Sequence, residues 1–201
     1  MTVRLIAVRH GPTRWNRDGL MQGRADIPLD GPGRREVARW RLPDWARAAP
    51  WRSSPLRRAT ETAHILGLDH VITDERLVEM DWGRWEGCSL AGLRARHGEE
   101  MRTNEARGLE FRPPGGETPR EVQARLHPLL RELAGSGAEA VGVVSHKGVI
   151  RALLALATGW DMLRGPGFRV PEGSAQVFRL EDRDRLSLAC PALALVPERC
   201  G

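Results

Sequence analysis

Residues 140–159 read AVGVVSHKGVIRALLALATG, and this stretch decides the fold class. Residues 140–145 make a short apolar run of the kind a buried strand needs. His146 ends the run. From Gly148 the apolar residues recur at helical spacing as far as Gly159, a residue suited to stop a helix. A buried strand feeding straight into a helix is the building unit of a parallel α/β sheet. A second such strand opens the chain: VRLIAVR spans residues 3–9, and HGPT breaks it with a glycine and a proline.

The remaining segments fit around these two strands. Residues 31–46 carry a helical pattern after Asp30, and residues 49–53 (APWRS) form a short strand. Ser54–Pro55 predicts a helix start, with a hydroxyl N-cap followed by proline at the first position. That helix runs through LRRATETAHIL to Gly67, and HVIT (70–73) supplies a further strand. Residues 76–116 are rich in glycine, tryptophan and charge. They read as an irregular cap over a site, with one or two short helices. Thr118–Pro119–Arg120–Glu121 opens a helix that ends near Gly135, and residues 174–180 and 186–195 are the last strands. The expected architecture is a three-layer α/β/α sandwich with a mostly parallel central sheet and a small cap excursion, one domain over residues 1–201.

Composition narrows the function classes. No apolar run approaches the ~20 residues of a membrane span. The N-terminus enters a strand pattern at once and lacks a signal-peptide h-region, so the expected location is the cytoplasm. Cys88, Cys190 and Cys200 are odd in number and widely spaced, which predicts free thiols and no metal site. The net charge is +5 with a pI near 10.2. The arginines are interleaved with acids and form no cationic block, which argues against nucleic acid and fits a small anionic substrate.

Two strands end in a histidine, His10 and His146, and ligand sites in open α/β sheets gather at the carboxyl ends of strands. Arg9 precedes His10. Gly11 follows it and is read as leaving room for an anion at the backbone. Arg57 and Arg58 stand in the first turn of the helix after Ser54, an environment that suits phosphate. Cations beside the two histidines disfavour a divalent metal there.

These residues carry a resemblance. RHGPTRWNRDGLMQGRADIPL, SSPLRRATETA, RLVEMDWGRWEG, PPGGETPREVQARL and SHKGVIRALL occur in this order between residues 4 and 155. The set resembles the histidine phosphatase superfamily, in its phosphoglycerate mutase-like branch. The resemblance implies His10 as nucleophile, Arg9 and Arg58 as phosphate ligands, and His146 as a contact of the transferred phosphoryl group. Glu79 is implied as the carboxyl that protonates the leaving oxygen. Asn16 and Gln22, with Gly23 beside it, are implied to line the phosphate pocket, and Thr13 to bond phosphate or cap a turn. The chemistry is consistent, because two arginines and a histidine neutralise the loose transition state of phosphoryl transfer without a metal or cofactor.

Two reactions share the phosphohistidine half-reaction. Hydrolysis of a small phosphorylated metabolite is favoured, because residues 80–116 are short for a mutase insertion. Phosphoglycerate mutase activity is the alternative, and a non-catalytic phosphate- or nucleic-acid-binding protein the lesser one. The expected assembly is a monomer or homodimer. Specificity is expected in residues 80–116, with Trp15, Trp82 and Trp85 as candidate walls and Arg24 and Arg57 as candidate rim cations. Glu117 is expected to belong to the helix start beside it. One departure stands out: the chain's single lysine, Lys147, occupies a position where the family often has glycine. It is expected to bring a positive charge to the substrate.

Overall fold

The computed structural model describes residues 2–168, 170–181 and 185–195. Its centre is a six-stranded sheet: β1 (Val3–Arg9), β2 (Trp51–Ser53), β3 (Ile72–Thr73), β4 (Ala140–Ser145), β5 (Ser174–Leu180) and β6 (Leu186–Ala194). The strand order is β3-β2-β4-β1-β5-β6. Pairing is parallel from β3 through β2 and β4 to β1, and antiparallel at β1–β5 and β5–β6. β5 is therefore the one strand of the described sheet that runs against the rest.

Alternation along β1 builds the three layers. Leu5 and Ala7 face a core shared with α6 (Pro119–Ala134) and α7 (Lys147–Thr158). Ile6 and Val8 face a second core closed by α2 (Gly31–Val37), α3 (Asp44–Arg47) and α4 (Arg57–Ile65). Both faces of the sheet are covered, so the central strands lack the polar alternation of a one-sided sheet. α1 (Arg14–Arg17) is a single turn after β1, and α5 (Leu90–Glu105) belongs to the cap. Among the described residues, no helix is long and apolar enough to cross a membrane.

The structure differs from the sequence reading at two places, the helix over 31–46 and the cap of α4, and agrees with it on the cap excursion. The expected helix over 31–46 is two short helices. Trp40 and Leu42 turn inward to the core between them, Arg41 N bonds Leu195 O at 2.6 Å, and Pro43 interrupts the ladder. Ser54 is not the N-cap of α4. Leu56 takes that place without a side-chain cap, and Ser54 Oγ accepts from Leu56 N in a local turn. The cap carries one helix, α5, which breaks at Gly98 (φ 43°) into two short pieces. Its own small core is Trp85, Leu93 and Met101. Helix α6 begins as expected, with a reciprocal capping box between Thr118 and Glu121 and proline at the first position.

Candidate active site

Strand register brings the site together. Arg9 pairs with Ser145, and His10 N donates to Ser145 O at 2.9 Å. Ser54 N donates to Val144 O at 2.9 Å. Three adjacent parallel strands thus end side by side, and Ser54, His146 and His10 emerge together. The two imidazole rings lie 5.1 Å apart between centroids.

The partners of each ring assign its protons. His10 Nδ1 is 2.7 Å from Gly11 O, which can only accept, so Nδ1 carries the proton and Nε2 presents a lone pair. Burial first, then Arg9 and Arg58, holds the His10 pKa well below its usual value and keeps the ring neutral. His146 is fully buried. Arg58 Nε donates to its Nδ1 at 3.2 Å, which leaves Nε2–H to donate to Ser54 Oγ at 2.7 Å. Burial, then His10 and Arg58, keeps this ring neutral too. Both of its nitrogens are therefore engaged. Contact with a phosphoryl oxygen requires one bond to be exchanged.

Arg58 is fully buried and makes no ion pair among the described residues. Its Nη1 and Nη2 donate to Ala25 O and Gly23 O, each at 2.7 Å. Burial lowers its pKa, although Glu79 and Asp26 act the other way. A desolvated cation without a carboxylate partner costs several kcal/mol, and an arriving anion offsets that cost. Arg9 is less extreme: its Nε is buried and lacks a hydrogen-bond partner among the described residues, while its Nη1 lies 4.0 Å from the exposed Glu172 carboxylate. Two guanidiniums beside a neutral imidazole make a site short of negative charge.

Glu79 is buried and lines the same cavity as His10. Its carboxylate accepts from Met80 N (2.8 Å) and from Gly148 N (3.0 and 3.2 Å), in the first turn of α7. A Cβ at Gly148 would stand 2.3 Å from Glu79 Oε1, so this glycine makes room for the carboxylate. The segment before and after Glu79 is clamped by Arg125 of α6. Arg125 donates to Arg76 O and Val78 O and pairs with Glu117 at 2.8 Å. Glu117 in turn accepts from Asp81 N at 3.3 Å. Glu117 is thus a brace for the Glu79 segment rather than part of the α6 start.

Thr13 caps α1 through Asn16 and donates to Gln22 Oε1 at 3.0 Å. It is buried and shapes the turn, while Asn16 and Gln22 line the cavity. Gly23 (φ 52°) lets Glu86 approach and cap Arg24 N and Ala25 N, which fixes the carbonyls that hold Arg58. Gly11 serves packing: a Cβ there would meet Val37 at 2.2 Å. The α4 N-terminus is already satisfied, with Arg57 N donating to Asp26 Oδ1 at 2.7 Å. Arg57 pairs with Glu61 and Arg24 with Asp81, and neither lines a cavity.

Two cavities flank His10. One, of about 630 Å³, contains Glu79, Trp82, Leu90, Phe111 and Leu163. The other, of about 500 Å³, is walled by Trp40, Ile150, Trp160, Phe168 and Glu172. Trp160, Phe168 and Glu172 form a wall that sequence reasoning missed, since nothing in the composition around them points to a site. Arg9, Lys147, Arg151 and Glu172 border both cavities. Trp85 is buried in the cap core, and Trp15 packs against Gly87. Cys88 and Cys190 are free, and Cys200 lies outside the described residues. Among the described residues, no group of three or more His, Cys, Asp or Glu is arranged to hold a metal.

Comparison with known proteins agrees with this geometry. The family model for the histidine phosphatase superfamily, branch 1, matches residues 5–189. The chain is 31% identical over 195 residues to phosphoserine phosphatase 1 of Hydrogenobacter thermophilus, covering 92% of this chain and 90% of that one. It is 34% identical over 160 residues to a 2,3-bisphosphoglycerate-dependent phosphoglycerate mutase of Gloeobacter violaceus, covering 75% and 73%. A mycobacterial glucosyl-3-phosphoglycerate phosphatase, solved with VO3, superposes with a TM-score of 0.78 at 29% identity, over 96% of this chain and 100% of that one.

Proposed function

This chain belongs to the histidine phosphatase superfamily, and from that premise we propose that it hydrolyses phosphomonoesters through a phosphohistidine at His10. The observation that carries the reading is a neutral, buried His10 whose Nε2 has no hydrogen-bond partner among the described residues, beside Arg9 and Arg58, with Glu79 lining the same cavity.

The steps follow from the geometry. The Nε2 lone pair of His10 attacks phosphorus in line, and the Nδ1–H bond to Gly11 O steadies the charge that develops on the ring. Arg9 and Arg58 offer unused guanidinium donors to the equatorial oxygens. His146 joins them by exchanging its Ser54 hydrogen bond for a phosphate oxygen. As the P–O bond breaks, Glu79 gives its proton to the leaving alkoxide and the alcohol departs. Glu79, now a carboxylate, takes a proton from water as the water oxygen attacks phosphorus. The P–N bond breaks, inorganic phosphate leaves and neutral His10 returns.

Hydrolysis is favoured over a mutase cycle because cavities of about 500 and 630 Å³ both border His10, which leaves water room beside the phosphohistidine. A mutase must keep water out while it holds a bisphosphorylated intermediate.

Phosphate release from a panel of phosphomonoesters without added metal tests the reading. We expect turnover in the wild type, a loss of about 10³-fold or more with His10→Ala, and an acid-labile, alkali-stable phosphoenzyme. Turnover surviving His10→Ala overturns the phosphohistidine. Phosphoglycerate isomerisation outpacing hydrolysis replaces the hydrolase with the mutase.

A further inference from the structure

We infer that Lys147 and Arg151 form a subsite for a carboxylate, so that the preferred phosphomonoesters carry a carboxylate close to the phosphorylated oxygen. The inference rests on the hydrolase reading and adds a substrate class to it.

The two residues stand at positions i and i+4 of α7, on one face and about 5–6 Å apart at Cβ. Like charges at that spacing disfavour the helix by a few tenths of a kcal/mol. Neither residue makes an ion pair among the described residues. Both border both cavities beside His10. The Arg151 guanidinium lies over the Trp160 ring at 4.8 Å from its centroid, which fixes the plane of its donor fork. Burial lowers the pKa of both groups, and Arg9 and Arg151 lower that of Lys147 further, as expected of cations crowded together in a cleft.

The neighbouring carboxylates leave this pair short of negative charge. Glu79 accepts from Gly148 N and Met80 N and also offsets part of the charge of both cations. Glu105 is closed on Arg94 and Asp30 on Arg17. Glu36 lines the smaller cavity, where burial and then Glu172 raise its pKa. Glu172 remains, largely exposed and 4.0 Å from Arg9. Three cations, Arg9, Lys147 and Arg151, facing the carboxylates of Glu172 and Glu79 leave about one positive charge in the resting site, which a carboxylate balances better than a second phosphate dianion. A planar carboxylate also matches the fixed fork of Arg151.

The test compares O-phosphoserine with O-phosphoethanolamine, which differ by the carboxylate alone. We expect the wild type to favour phosphoserine at least about tenfold in kcat/KM, and Lys147→Gln to cut that ratio by about tenfold, the size of one charge-assisted hydrogen bond. Arg151→Lys keeps the charge and loses the fork, and it should reduce the same ratio. Calorimetric binding of both esters to the His10→Ala protein reads the subsite without turnover, so failure of the hydrolase reading leaves it testable. A wild-type ratio near one, in turnover and in binding, overturns the subsite. So does a Lys147→Gln protein that weakens both esters equally.

Discussion

At the scale of single residues, the site is built from groups whose partners leave one function open. Gly11 O fixes the proton on His10 Nδ1 and so directs Nε2 outward. Gly148 is the most exacting position. Its N–H holds the Glu79 carboxylate, and a methyl group would fall 2.3 Å from Oε1. Alanine is the better helix former, so Gly148→Ala should leave thermal stability nearly intact and lower kcat by about tenfold or more through displacement of Glu79. Steady-state kinetics with a melting curve checks both halves. The histidines, Arg58 and Glu79 were legible because they sit in recognisable motifs. Ser54 and Gly148 were present in those motifs, but their work depends on partners 92 and 69 residues away, which no local pattern contains.

At the scale of elements, α6 reaches across to the Glu79 segment. Its capping box was legible at Thr118–Glu121, since the signal is local. Its use was not. Arg125, one more arginine in an arginine-rich chain, inserts its guanidinium under the carbonyls of Arg76 and Val78 and braces Glu117. We expect Arg125→Ala to lower kcat by about ten- to a hundredfold, with KM changed much less, because the proposed acid, Glu79, is displaced while Arg9 and Arg58 stay. Arg125→Lys should restore part of the loss. Equal effects on kcat and KM, or a fall matched by unfolding, would reject this positioning role. The split of the expected helix over 31–46 belongs here as well. Its periodicity was helical, but burial of Trp40 and Leu42 and the backbone bond from Arg41 to Leu195 overrode it.

For the whole molecule, the two buried neutral histidines couple stability to pH. In the unfolded chain each takes up a proton near pH 6.5. In the fold, burial and the nearby arginines hold both pKa values well below that. The unfolded state therefore binds more protons below about pH 6.5, and stability falls as pH drops through that range. The slope approaches about 1.4 kcal/mol per pH unit for each histidine. Denaturation midpoints at pH 7.5, 6.0 and 5.0 should decline, and His146→Gln should flatten the decline. A midpoint independent of pH would contradict the burial of these rings as neutral groups.

The sequence by itself determined the strand–helix units, the mostly parallel sheet and which residues to propose for the candidate site. Each of these is written in short-range periodicity or in contiguous motifs, where neighbours in the chain are neighbours in space. Only the tertiary structure decided how those pieces serve one another. Strand register set His10, His146 and Ser54 side by side, α6 reached over to brace Glu79, and Trp160, Phe168 and Glu172 walled a second cavity. It also placed the lone Lys147 with Arg151 on the face of α7 that borders both cavities. Contacts between residues so far apart in the chain depend on how the layers pack, and packing is a property of the folded whole.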